Sequence, residues 1–249
     1  MKTALITGGA GAIGAATARM LAADGFSLAL ADIAAGPAQA LASEIAHDFG
    51  VEVIVEPVDL SDIAVPGPML DRIGGRFGRL DCLVNNAGMT GASTIGQVAI
   101  ADWESVLLLN LTVPMLVCQA ALPLMRAAGG GSIVNVASRV YLSGTGVGYT
   151  SSKAGLIGLT RALAVQLGKD RIRVNAVAPS FLTSPFTKRS VEKNPNLPEA
   201  FVSLTPLARL ATPEDVAGAI AFLASDRASF ITGDVLHVCG GAQLAPQPD

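Results

Sequence analysis

Thr7-Gly8-Gly9-Ala10-Gly11-Ala12-Ile13-Gly14 follows a short apolar run at 4–7 and leads into a helical pattern at 14–24. Glycines between a strand and a helix let the backbone turn tightly and approach a pyrophosphate, whose charge the helix N-terminus meets. Three spacings overlap in these residues. Gly9, Gly11 and Gly14 fit GxGxxG, while Gly8, Gly11 and Gly14 fit TGxxGxxG; TGxxxGxG fits only if Ala12 replaces its middle glycine. Gly8, Gly11, Ala12, Ile13 and Gly14 are therefore candidate cofactor-binding positions.

The same alternation continues beyond this turn. Apolar runs at 28–31, 53–56, 82–85, 132–136, 173–178 and 235–238 read as further strands, making seven with the first. Their near-continuous hydrophobicity suits strands buried on both faces, as parallel sheets require. Helical patterns at 103–127, 149–168 and 213–224 lie between them. The expected fold is α/β: a single doubly wound Rossmann-type domain over 1–249, with a seven-stranded parallel sheet flanked by helices. One proline-interrupted segment, 181–209, is expected to form a substrate lid, and 245–249 a mobile tail.

Composition excludes several other classes. Hydrophobic residues make up 51% and charged residues 15%, enough for a sizeable core, and a net charge of −3 gives no reason to expect nucleic acid or an anionic membrane as a partner. Cys82, Cys118 and Cys239 have no CxxC spacing, and with His47 and His237 isolated no metal site is expected. Glycines interrupt the apolar start before a signal-peptide core could form, and no stretch is read as reaching the roughly 18 apolar residues that span a bilayer. These features lead us to expect a soluble, cytoplasmic protein.

Asp32 ends the second strand, 18 residues beyond Gly14. A carboxylate there accepts hydrogen bonds from the adenosine ribose hydroxyls and repels a 2′-phosphate. No Arg or Lys occurs between Ile33 and Ala42 to neutralise such a phosphate, so the expected cofactor is NAD. Asp59, in Val58-Asp59-Leu60, suits either a bond to the adenine amino group or a helix cap.

Tyr149 and Lys153 are four apart and share one face of a helix. A free tyrosine is only about one part in a thousand phenolate at pH 7, a cost near ~4 kcal/mol that a neighbouring cation reduces. Such a pair can exchange a proton with a substrate oxygen. Ser138 follows the fifth strand and could hydrogen-bond that oxygen, while Asn110 is a lone amide in an apolar helical run.

In their order and spacing these residues resemble the classical short-chain dehydrogenase/reductase family over essentially the whole chain. The match includes Asn85-Asn86-Ala87-Gly88, Asn110-Leu111-Thr112, Arg171-Ile172-Arg173-Val174-Asn175, Thr212-Pro213-Glu214-Asp215 and Gly240-Gly241. The resemblance implies an enzyme that transfers a hydride between NAD(H) and a small secondary alcohol or ketone. It makes Tyr149 the acid/base, Ser138 the group that polarises the carbonyl, and Lys153 the holder of the nicotinamide ribose that also lowers the Tyr149 pKa. Asn110 would help hold a relay water. Leu60, Asn86, Ala87, Gly88, Val136, Pro179, Leu182 and Ser184 would line the cofactor, with Thr183 or Ser184 toward its carboxamide. A homotetramer is the family's usual assembly.

The chain departs from the family pattern at three places. Ala12 replaces a glycine, Ser138 and Tyr149 are closer together than usual, and Pro179-Ser180 replaces Pro-Gly. Two other functions compete: an epimerase or dehydratase on the same scaffold, and a catalytically silent nucleotide-binding regulator. For the substrate, Phe181, Phe186, Phe201, Val202 and Leu204 of the lid, with Tyr141 and Leu142, suggest a compact neutral pocket. Arg139 is the one residue beside Ser138 that could instead meet an anion.

Overall fold

Alternate residues of the first strand leave on opposite faces of a sheet, Ala4 and Ile6 into one apolar cluster and Leu5 into another. The computed structural model describes residues 1–91 and 94–244, so the tail expected at 245–249 lies outside it. Its strands are β1 (Thr3–Thr7), β2 (Ser27–Asp32), β3 (Val53–Pro57), β4 (Cys82–Asn85), β5 (Gly131–Val136), β6 (Ile172–Pro179) and β7 (Val235–Val238). They form one seven-stranded sheet in the order β3-β2-β1-β4-β5-β6-β7, parallel throughout. Every residue of β1 is buried, as a strand covered on both faces must be.

Helices cover both faces. Against one pack α1 (Ala12–Ala23), α2 (Ala35–Phe49) and the later helix Pro213–Ala224, through Leu21, Ile45 and Ile220. Against the other pack α3 (Pro66–Phe77) and the helices Val113–Ala127 and Val147–Leu167, through Met69, Ile73, Val117, Met125 and Leu167. Strand order reverses between β1 and β4, which opens a crevice at their C-terminal ends where ligands of such sheets bind.

The apolar stretch at 103–127 belongs to one continuous helix, Ile100–Ala127. It comprises α4 (Ile100–Leu107), a π-helical turn (Leu108–Thr112) and α5 (Val113–Ala127). At 28 residues, with a mean hydropathy of 1.8 over its most apolar 18, it is by length and composition long and apolar enough to cross a membrane, contrary to the sequence expectation. One side is core, since Val106, Val113, Val117, Ala121 and Met125 are buried. Only 39% of its most apolar window is covered.

After β5 come α6 (Val140–Ser143) and α7 (Val147–Leu167). The expected lid is more regular than its prolines suggested. It holds α8 (Lys188–Lys193) and α9 (Leu197–Ser203), with Pro198 in the first turn of α9, where a missing N–H costs nothing. This segment leads into α10 (Pro213–Ala224), whose start is closed by a reciprocal cap. Thr212 Oγ1 accepts from the Asp215 N–H, and the Asp215 carboxylate accepts from the Thr212 N–H.

Candidate active site and cofactor cleft

The glycine-rich turn is built so that side chains are excluded. Gly8 has φ +63°, and a Cβ on Gly14 would sit 2.1 Å from the Gly8 carbonyl oxygen. Gly8 and Gly14 are thus the positions this turn demands, and they belong to both readings that begin at Thr7-Gly8. Ala12 is the first residue of α1 and avoids the left-handed backbone region, so its Cβ is accommodated. Thr7 ties the turn to its neighbour strand. Its Oγ1 accepts from the N–H groups of Asn86 (3.0 Å) and Ala87 (3.1 Å). Both protons of the Asn86 side-chain amide go to the turn, to the carbonyls of Thr7 and Gly8.

Asp32 reaches back to the same turn. One carboxylate oxygen accepts from the Ala10 N–H at 2.9 Å and the other from the Ala34 N–H at 2.9 Å. Each oxygen keeps a lone pair for a further donor, such as a ribose hydroxyl. Asp59 is exposed, and one of its oxygens accepts from both the N–H and the hydroxyl of Ser61, which holds its carboxyl below the usual range. It organises a local turn and caps no helix, since the N-cap of α3 is Val65. The Leu60 side chain is core, and Ile13 is partly buried against the opposite cluster. A backbone cradle that a Cβ would fill, with a carboxylate at the end of β2, fits a dinucleotide.

The reactive residues gather at the C-terminal ends of β4 and β5. Tyr149 and Lys153 lie on α7, and Ser138 follows β5. Burial raises the Tyr149 pKa above its ordinary value, and the hydroxyl of Ser138 beside it acts in the opposite sense. Lys153 lies near the phenol, with Nζ 5.7 Å from the ring centre. Its ammonium is buried and donates to the Val136 carbonyl at 2.8 Å, and burial pushes its own pKa down to about 8. Val136, expected to line the cofactor, thus already accepts one hydrogen bond at its carbonyl, whose second lone pair stays open.

Asn110 lies in the π turn, a feature frequent at functional sites, and is fully buried. Its Oδ1 accepts from the Met89 N–H at 2.9 Å, and its Nδ2 donates to the Met89 carbonyl at 2.9 Å and to Ser152 Oγ at 3.0 Å. Gly88 passes so close that a Cβ there would sit 3.0 Å from Asn110 Oδ1 and 3.6 Å from Lys153 Nζ. Asn110, Gly88 and Lys153 are therefore one cluster.

Phe186, in the segment 181–209, approaches the Tyr149 ring, with centroids 6.3 Å apart. Phe181 stacks on Phe201 at 4.7 Å, and the Arg139 guanidinium lies over the Phe201 ring and donates to the Ala242 carbonyl. Pro179 accepts from the Arg139 N–H at 2.9 Å. The Leu182 and Ser184 carbonyls both accept from Thr187 Oγ1, which in turn accepts from the Ser184 N–H. Thr183 is exposed, as are Leu142 and Leu204, while the Tyr141 hydroxyl bonds His237 at 2.8 Å. Sequence reasoning missed Thr7, Ser152 and Thr187. A hydroxyl that serves backbone groups leaves no pattern in the chain.

This geometry has counterparts among known proteins. The family model described as enoyl-(acyl carrier protein) reductase matches residues 8–243. The chain belongs to the classical short-chain dehydrogenase/reductase family, a family of oxidoreductases. It is 39% identical to a cis-4-hydroxycyclohexanecarboxylate dehydrogenase of Sinomonas cyclohexanicum, covering 96% of each chain. Among solved structures it resembles an NAD+-bound xylitol dehydrogenase (TM-score 0.89, 30% identity, 96% of this chain and 98% of that one). It also resembles a Pseudomonas aeruginosa RhlG/NADP complex (TM-score 0.89, 31% identity, 98% and 96%). These two structures are equally similar and carry different cofactors, so the scaffold alone does not choose between them.

Proposed function

We propose that the protein is an NAD(H)-dependent dehydrogenase and reductase of compact secondary alcohols and ketones, with Tyr149 as its acid/base. The observation that carries this reading is the half-buried Tyr149, its phenol flanked by the Ser138 hydroxyl and the Lys153 ammonium. In reduction, Tyr149 gives its proton to the substrate oxygen while the Ser138 hydroxyl donates to the same oxygen. In oxidation, Tyr149 takes the alcohol proton. The Lys153 cation offsets the negative charge that then develops on the phenol. The bound nicotinamide supplies or accepts the hydride. Gly8, Gly11 and the start of α1 would hold its pyrophosphate, and Asp32 its adenosine ribose.

Asp32 supports NAD over NADP, because a carboxylate held by two backbone N–H groups stays where a 2′-phosphate would go. The neutral-substrate reading is supported by Phe186 beside Tyr149 and by an Arg139 already engaged with Phe201 and Ala242. Xylitol is a neutral polyol, in line with this reading, whereas the 4-hydroxycyclohexanecarboxylate relative is named for an acid. The poorly covered face of Ile100–Ala127 and the exposed Val165 on α7 support a homotetramer. Three buried, unpaired cysteines fit work in the cytoplasm.

The test is a screen of secondary alcohols, polyols and hydroxy acids with NAD and NADP, followed by Tyr149→Phe on the best substrate. Turnover should fall by a factor on the order of 10² or more, with NADH binding little changed. A Tyr149→Phe enzyme with full turnover removes the residue from the role.

A further inference from the structure

Ser152 stands between Tyr149 and Lys153 in the chain and takes no part in the chemistry set out above. It is fully buried, and its hydroxyl is used twice. Oγ accepts from Asn110 Nδ2 at 3.0 Å and donates to the Tyr149 carbonyl at 2.8 Å. Asn110 completes its amide on the backbone of Met89, with both bonds at 2.9 Å. An unbroken path of hydrogen bonds therefore runs from the segment after β4, through the π turn, to the backbone of the residue that exchanges the proton. The two helices also close on each other beside it. A Cβ on Gly155 of α7 would lie 2.8 Å from Leu111 in the π turn, so the contact allows little sliding.

Ser152 needs both properties of a hydroxyl, because one side asks it to accept and the other to donate. Alanine offers neither and would leave an amide proton of Asn110 without a partner, out of reach of water. We propose that Ser152 is a positioning residue that holds the Tyr149 turn of α7 in register with Asn110 and, through it, with the post-β4 segment. It acts through Asn110 and the Tyr149 backbone and does not touch the substrate. Reacting groups must be held within a fraction of an ångström, so releasing this register slows the proton transfer more than it weakens binding.

The inference rests on Tyr149 being the acid/base, and the experiment separates the two. With the wild-type substrate, Ser152→Ala should lower kcat about tenfold and change KM by less than about twofold. The ascending limb of the kcat profile in alcohol oxidation should move to higher pH, because a displaced phenol moves away from the Ser138 hydroxyl, whose influence lowers its pKa. Ser152→Thr, which restores the hydroxyl, should return that midpoint to the wild-type position. In a double-mutant cycle, Ser152→Ala and Asn110→Ala should overlap and not multiply.

A Ser152→Ala enzyme with an unmoved pH profile overturns the proposal. So does a loss of activity that only tracks a loss of folded protein by circular dichroism, or a Ser152→Thr midpoint that stays with alanine. If Tyr149→Phe keeps full turnover, the acid/base reading has failed, and the Ser152 assignment falls with it.

Discussion

The Nζ of Lys153 lies 5.7 Å from the centre of the Tyr149 ring, yet its hydrogen bond goes to a main-chain carbonyl on β5. Two ionisable groups thus lie side by side, and burial shifts each toward its neutral form: the phenol upward and the ammonium downward, to about 8.

The lysine gives a pH signature in stability. A base whose pKa falls on folding, from 10.5 to about 8, binds fewer protons in the native than in the unfolded state between those values. Stability must therefore rise with pH across that window. Without added cofactor, raising the pH from 7 to 9 should stabilise the wild type by about 1 kcal/mol more than Lys153→Met in urea unfolding. Parallel curves for the two proteins would show that Lys153 titrates normally.

Cofactor choice is the second prediction. The ratio of kcat/KM for NAD over NADP should be at least roughly tenfold, about 1.4 kcal/mol. Asp32→Ala should narrow it by removing the charge that opposes a 2′-phosphate. A wild-type preference for NADP would overturn the ribose assignment.

Substrate charge turns on Arg139. Its guanidinium is held over Phe201 and by the Ala242 carbonyl, joining the segment after Ser138 to α9 and to the chain beyond β7. Neutral alcohols should therefore turn over at least as well as matched hydroxy acids, and Arg139→Ala should loosen substrate binding for both alike. If only the acids react, and Arg139→Ala abolishes that preference, Arg139 is an anion reader and the neutral reading is wrong.

Assembly is the fourth. The exposed side of Ile100–Ala127, with Val165 on α7, should be covered by other copies of the chain. Light scattering at micromolar concentration should report four chains per particle, and a stable monomer would refute this.

Much of the fold was legible because each strand is an unbroken apolar run between turn residues. The strands at 82–85 and 235–238 match to the residue, and the others lengthen by one or two positions at their ends. The glycine-rich turn, Asp32, Ser138, Tyr149 and Lys153 were legible for the same reason, since each needs a particular residue type at a particular spacing. The π turn was not, because widening one turn of a helix changes hydrogen-bond partners and leaves the apolar pattern intact. The helices α8 and α9 span six and seven residues, too short for a helical period to show. The direction of Lys153 was also hidden, because sequence places a cation on a helix face but does not say which acceptor it reaches.

If Asp32 discriminates between cofactors as proposed, its bond from the Ala10 N–H gives one carboxylate two duties, the second being to brace the turn that grips either of them. A lineage drifting toward the phosphorylated carrier could not simply discard the acid, because the discarded group would take the brace with it and weaken affinity for both carriers. Replacements that keep a side-chain oxygen acceptor, such as Asn or Ser, give evolution a gentler route than Ala. On that assignment electron-carrier preference would be conservative by construction: a single step toward the new carrier would also loosen the grip on the old one.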